Sequence, residues 1–304
     1  MRMAVLTTLA LGAAACSSTS SKKGVESYVQ TSDGQLLHYE KIGTGKDLLL
    51  VPGASWVAAD LRDLAKDRTV VFYDARGRGR STPAPNLSLE DDLHDLETLR
   101  AWFGAERVSL LGFDYWGALV LLYAQSHPEH VDKVVVSSPI PLRKFPYWDI
   151  YMKVYDDRAD RDSYAQVNEM RVNRDDRNHP EAYAKAYTQA IVAGWVADEG
   201  SVDDLRSIPF VEPNVSPERA ITLYLGLLKG LGDWDWRLKM KEVRAPTLFV
   251  FGSADPMPAE SLNEWPAHVP GAKKQVIEGC GRLPWLEARR DFLSAVDGFL
   301  RPGG

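Results

Sequence analysis

The run Val108-Ser109-Leu110-Leu111-Gly112-Phe113-Asp114-Tyr115-Trp116-Gly117-Ala118-Leu119 constrains this chain more than any other. It reads as a buried strand, a sharp turn and a buried helix with no polar spacer between them. A strand this apolar must be covered on both faces, as strands are in a parallel sheet flanked by helices.

The rest of the chain follows suit. Tyr28-Val29-Gln30-Thr31 and Leu36-Leu37-His38-Tyr39 flank a Ser32-Asp33-Gly34 turn, which predicts an opening hairpin. Leu48-Leu49-Leu50-Val51 ends in Pro52-Gly53, and Thr69-Val70-Val71-Phe72-Tyr73 ends in Asp74-Ala75-Arg76-Gly77-Arg78-Gly79-Arg80-Ser81. Both are continuous apolar runs of strand length. Leu89, Leu93, Leu96, Leu99 and Phe103 recur at helical spacing behind Ser88, a plausible N-cap with Asp91 at its third position. Lys133–Val136, Pro246–Phe251 and Lys274–Ile277 predict three more strands, and Trp285, Ala288, Phe292, Val296 and Phe299 predict a last helix. Alternating strands and helices specify an α/β fold with a mostly parallel central sheet. At 304 residues, 45% of them hydrophobic, the chain can bury one substantial core.

Residues 139–236 break the alternation. Helical, mixed-charge segments rich in Tyr, Trp, Asp and Arg replace the strands, which predicts an inserted helical cap between a first core part, 26–138, and a second, 237–304. The bland account of its aromatics is packing of cap on core. The Arg76–Arg80 run suggests an anion site or a structural turn, and the turn is the favoured reading.

The N-terminus reads as a processing signal. Arg2 precedes an apolar stretch, then come Ala13-Ala14-Ala15, Cys16 and a serine-rich tract. This resembles a bacterial lipoprotein box, with Ala13 where leucine is usual. The resemblance implies a signal peptide over 1–15, lipid on Cys16 and a polar tether over 16–25, so the protein would be extracytoplasmic and membrane-anchored. Plain secretion is the alternative. No apolar run is long enough to span a bilayer. The only other cysteine is Cys280, so an intramolecular disulfide is not expected. A net charge of −6 gives no sign of a nucleic-acid partner, and neither a metal nor a cofactor is expected.

Five motifs carry a family resemblance: Val51-Pro52-Gly53-Ala54, the Asp74–Ser81 run, the turn around Asp114, Gly252-Ser253-Ala254-Asp255 and Gly279-Cys280-Gly281-Arg282. In this order the chain resembles the α/β-hydrolase superfamily, within it the proline iminopeptidase-like branch. The resemblance implies that residue 114 stands at the nucleophile of a G-x-S-x-G elbow, residue 282 at the base and Asp255 at the acid that orients it. The N–H groups of Ala54 and Tyr115 would form the oxyanion hole. Pro52 replaces the usual histidine of the oxyanion loop.

Two of these positions hold the wrong residue for acyl transfer. Asp114 offers no hydroxyl to activate, and the Arg282 guanidinium does not accept a proton near neutral pH. Together, though, the replacements fit, because they turn nucleophile, base and acid into carboxylate, guanidinium and carboxylate. Asp114 would also sit at a helix N-terminus, which favours negative charge. Trp116 stands where a small residue is usual, so the indole must displace the helix or fill pocket volume. None of the six histidines, at 38, 94, 127, 130, 179 and 268, reads as a relocated base.

The expectation is a lipid-anchored homologue without serine-hydrolase activity that keeps a site for a small ligand. The alternative is an aspartate-nucleophile hydrolase of the epoxide hydrolase or haloalkane dehalogenase kind, with Tyr147, Tyr151, Tyr155, Tyr183 or Tyr187 as activators. A third route moves the nucleophile to Ser55 or Cys280, where small structural residues are the simpler account.

Overall fold

The computed structural model describes residues 24–209 and 216–301. The expected signal segment, Cys16 and the tether up to residue 23 lie outside the described residues. The strands are β1 (Val25–Gln30), β2 (Leu36–Ile42), β3 (Leu48–Pro52), β4 (Thr69–Tyr73), β5 (Val108–Phe113), β6 (Val131–Pro139), β7 (Thr247–Gly252) and β8 (Lys273–Ile277). They form one sheet in the order β1-β2-β4-β3-β5-β6-β7-β8. β1 and β2 pair as the expected hairpin, with Gly34 at φ 87 in its turn, and β2 is antiparallel to β4. From β4 to β8 every neighbour is parallel. Thus this is an α/β fold with a mostly parallel sheet.

The apolar runs explain why the sheet holds. Leu49, Leu50, Val51, Val70, Val71, Phe72, Phe249 and Val250 are fully buried. Each such side chain contributes on the order of 1.5–3 kcal/mol by leaving water. Helix α1 (Ala54–Leu61) follows β3 directly, and α2 (Leu89–Trp102) starts where Ser88 Oγ accepts the Asp91 N–H at 3.1 Å. Helix α3 (Asp114–Ser126) begins on the residue after β5, and residues 114–124 of it are all buried. So residues 108–119 lie in the middle of the molecule.

Between β6 and β7 come α4 (Tyr147–Arg158), α5 (Arg161–Val172), α6 (Asp175–Asn178), α7 (Pro180–Ala193), α8 (Pro217–Gly230) and α9 (Arg237–Met240). The chain ends in α10 (Ala259–His268), α11 (Pro284–Glu287) and α12 (Arg289–Leu300). The single last helix expected from the spacing is therefore two. Ala288, at φ −132 and ψ 47, leaves the helical basin, and the short α11 turns Trp285 onto Phe113 with ring centroids 5.1 Å apart. Trp285, Phe292, Val296 and Phe299 are buried all the same.

The aromatics of the insert pack on one another and on the core. Trp148, Tyr151, Tyr155 and Trp195 form a continuous chain of ring contacts, and Trp195 meets Trp56 of α1. Among the described residues no helix is long and apolar enough to cross a membrane.

Candidate functional site

The turn from β5 into α3 is held by glycine. A Cβ on Gly112 would lie 2.2 Å from the Trp116 carbonyl oxygen, and one on Gly117 would press on Val136 and Pro139. Between them Asp114 sits at φ 49, in the left-handed region. Aspartate tolerates that conformation better than most side chains. It projects the carboxylate from the first residue of α3, where the helix N-terminus favours negative charge.

Two other segments converge on it. Asp255 follows β7, and its Oδ1 accepts the Met257 N–H at 2.8 Å. Arg282 arrives on the loop after β8, which passes so close to β7 that a Cβ on Gly252 would strike the Gly281 and Cys280 carbonyls. That loop is tied to the insert. Arg282 N–H donates to the Trp195 carbonyl at 2.7 Å. Glu287 accepts from Gly281 N–H and Ala197 N–H, both at 2.7 Å.

The three side chains meet as the paired replacements imply. Arg282 Nη2 donates to Asp114 Oδ1 at 2.6 Å and Nη1 to Asp255 Oδ1 at 3.2 Å. Arg282 is 1% exposed and Asp114 8%, so the network is desolvated. The guanidinium also lies over the Tyr151 ring, 5.1 Å from its centroid. Burial opposes its charge, but Tyr151, Asp255 and Asp114 outweigh that and hold its pKa above the ordinary value. The network is incomplete: among the described residues, Asp255 Oδ2 and Arg282 Nε have no hydrogen-bond partner.

Sequence reasoning missed one member. Tyr224, on α8, donates its hydroxyl to Asp114 Oδ2 at 2.8 Å. Burial, reinforced by the Asp114 charge, pushes this phenol well above its usual pKa, so it acts as a donor. Nothing in the local pattern around Tyr224 singles it out, since its partner lies 110 positions away. Of the tyrosines considered as activators, only Tyr151 touches the cluster. Tyr147 lies against Arg143 and Glu264, Tyr155 bonds Tyr164 and the Ile191 carbonyl, and Tyr183 bonds Glu218 with Tyr187 beside it.

Asp114 and Tyr224 border a cavity of about 100 Å³ walled by Trp56, Phe113, Trp116, Ile191, Trp195 and Ile221. Trp116 fills volume here and leaves the close contacts of α3 to Gly112 and Gly117. The edge of its six-membered ring lies 3.1–3.2 Å from where a Cβ of Gly53 would stand, and Gly53 is at φ 77. Tyr115 borders the cavity, whereas Ala54 borders a second, more polar pocket beyond Ser55. Both stand in the first turn of a helix, where N–H groups have no intrahelical acceptor.

The other candidates are placed elsewhere. Ser55 borders the cavity, and its N–H donates to Asp74 Oδ1 at 2.9 Å. Cys280 is buried, donates to the Ile277 carbonyl, and is pushed by burial up to about 12, which leaves no thiolate at neutral pH. None of the histidines touches the Asp114 network. His94 bonds Ser32, His130 bonds Glu97, His127 stacks between Tyr123 and His130, and His268 bonds the Glu264 carbonyl. His179 lies on the surface beside Asp175, and His38 is buried against Asp74. The arginine run is structural at two of its three positions. Arg76 is held by Asp95, Asp91 and Asp33, and Arg78 forks to Asp92. Arg80 pairs with Glu26 at the surface.

A family model described as alpha/beta hydrolase fold matches residues 52–288. The chain is 24% identical over 293 residues to a proline iminopeptidase of Heyndrickxia coagulans, covering 90% of this chain and 98% of that one. A proline iminopeptidase of Xylella fastidiosa (strain 9a5c) is 33% identical over 123 residues, 37% of this chain and 39% of that one. Among solved structures, an alpha/beta fold family hydrolase from Bacillus anthracis str. Sterne superposes with a TM-score of 0.66 at 19% identity, over 91% of this chain and 99% of that one. A proline iminopeptidase from Mycobacterium smegmatis does so with a TM-score of 0.62 at 18% identity, over 91% and 97%.

Proposed function

The chain belongs to the α/β-hydrolase family, and we propose that it has given up acyl transfer and uses its cavity to hold a small, largely apolar ligand. The observation that carries this reading is the Arg282 guanidinium lodged between Asp114 and Asp255. Acyl transfer needs a hydroxyl beside a group that accepts its proton. Here the nucleophile position holds a carboxylate whose oxygens are taken by Arg282 and Tyr224. The base position holds a cation whose pKa is raised further still. The ion network locks three segments of the fold together, and the aromatic walls beside it supply the binding surface.

An aspartate-nucleophile hydrolase is the weaker reading. It needs a base to activate the water that clears an alkyl-enzyme ester, and Arg282 is not one. Esterase and aminopeptidase turnover by the wild type should equal that of Asp114→Ala. Turnover lost in Asp114→Ala would overturn the reading. A stable adduct on Asp114 after exposure to an epoxide or haloalkane, seen by mass spectrometry, would favour the aspartate nucleophile. Asp114→Ser combined with Arg282→His rebuilds the hydroxyl and the imidazole, and ester hydrolysis above the wild-type background is the expected result.

The proposal extends to location. Cys16 would be the lipidated first residue of the mature chain, with the tether holding the folded part off an extracytoplasmic membrane surface. The order of Ala13–Ala15, Cys16 and the serine tract supports it. Labelling with an alkyne fatty acid should mark the wild type and spare Cys16→Ser. Equal labelling leaves plain secretion.

A further inference from the structure

The central cavity is bordered at one end by charge and elsewhere by rings. We propose, resting on the reading of this cavity as a ligand site, that its occupant carries a permanent positive charge, as the head of a quaternary alkylammonium does. The juxtaposition behind this is the Asp114 carboxylate facing a chamber walled by Trp56, Phe113, Trp116 and Trp195, with Tyr224 alongside.

The charge at that end is negative. The Asp114 side chain is 11% exposed, against 2% for Arg282 and 1% for Asp255, so its carboxylate is the member of the network that faces the cavity. Behind it one guanidinium answers two carboxylates. Asp74 borders the cavity too, and so does Arg78, which is already forked onto Asp92. Among the described residues, Asp74, Asp92, Asp114 and Asp255 thus stand against Arg78 and Arg282. A proton on His38, 3.6 Å from Asp74, would still leave an anionic surplus. Apolar walls focus that surplus into the space they enclose.

The surplus comes without open acceptors. Asp114 Oδ1 already accepts from Arg282 at 2.6 Å and Oδ2 from Tyr224 at 2.8 Å. Asp74 Oδ1 accepts Ser55 N–H at 2.9 Å and Oδ2 accepts Arg80 N–H at 3.3 Å. A primary ammonium brings donors that each want an acceptor and would be stranded here. A quaternary ammonium has no N–H to satisfy. It needs a field of the right sign and aromatic rings, whose faces attract cations. Size agrees, since an apolar cavity of about 150 Å³ takes up benzene, and one of about 100 Å³ suits a trimethylammonium head.

The test titrates the full chain, labelled with 15N-tryptophan, with choline and with its neutral isostere 3,3-dimethylbutan-1-ol. Dissociation constants are read from the indole NMR signals, and 3,3-dimethylbutanoate is the anionic comparison. Choline should bind about tenfold more tightly than the alcohol, and the carboxylate should not bind. Asp114→Asn, which leaves Arg282 balanced by Asp255, should remove most of that preference. Trp56→Leu should weaken choline more than the alcohol. The wild-type comparison stands even should a variant fail to fold. Equal binding of choline and the alcohol would overturn the proposal and leave the apolar ligand site standing. Preference for the carboxylate would overturn it in favour of Arg78. No binding of any of the three would sink the ligand site with it. A preference undiminished in Asp114→Asn would place the cation elsewhere.

Discussion

Two guanidiniums in this molecule, Arg282 buried and Arg78 half-buried, meet carboxylates in different ways. Arg78 forks both nitrogens onto Asp92, at 2.6 and 3.0 Å, and Tyr115 donates to the same carboxylate at 2.8 Å. Arg282 spreads single contacts over Asp114 and Asp255, and Tyr224 donates to Asp114 at 2.8 Å. The parts are the same, a tyrosine hydroxyl included. The first set balances one cation against one anion, although Asp95 and Arg76 stand alongside. The second sets one cation against two anions, and among the described residues leaves Arg282 Nε and Asp255 Oδ2 unpaired. Arg78 and Asp92 belong to the turn after β4 and to α2, and Arg78 reaches the wall of the central cavity. The Arg282 set occupies places laid out by a strand-to-helix turn and two loops, and its side chains fit those places only in part.

The largest expected effect is at Arg282. Its replacement by alanine leaves Asp114 and Asp255 facing one another without a cation, and should cost about 3–5 kcal/mol in denaturant unfolding. Asp114→Asn should recover part of that loss, with a coupling of about 1 kcal/mol or more in the double-mutant cycle. Additive effects would break the comparison, because they would mean that the Arg282–Asp114 contact carries no energy. Next come the two tyrosines. Tyr115→Phe and Tyr224→Phe each remove a hydrogen bond to a charged group, at about 1.5–3 kcal/mol. The loss should be greater at Tyr115, where Asp92 is wholly inside, than at Tyr224; the reverse order would show that the surplus charge on Asp114 leans on Tyr224.

The smallest effect serves as a surface reference. Hydrogen bonds from Arg100 hold the Glu97 carboxyl at about 2, below its ordinary 4.5. A depressed carboxylate contributes stability that is fully present above the unfolded value and is lost as pH falls from about 4.5 towards 2. Melting curves across that window should fall less steeply for Glu97→Gln than for the wild type.

The middle of the sheet was legible because its strands are apolar runs, and Ser88 announced α2 through a side chain that acts on its own neighbours. The junction at Ala288 was not, because the apolar spacing carries on through it while the chain bends and Trp285 packs on Phe113. In the site, Asp114, Asp255 and Arg282 could be foreseen to meet because their motifs fix where each loop ends. Tyr224 could not, since α8 lies in an insert whose docking depends on contacts far apart in sequence.

The surplus of one carboxylate over cations around Arg282 also orders the steps by which such a cluster can be assembled or dismantled. Arg282 with Asp255 alone is a balanced pair, so residue 114 can change between a neutral side chain and aspartate while its neighbours stay compensated. Residue 282 has no such freedom while Asp114 is present, because losing the guanidinium strands two anions in the interior. A route in from a hydroxyl at 114 and an imidazole at 282 therefore runs through arginine first and aspartate second. The route out runs the opposite way. A laboratory lineage that begins by changing Arg282 should stall for want of folded protein, whereas one that begins at Asp114 should stay soluble through both steps.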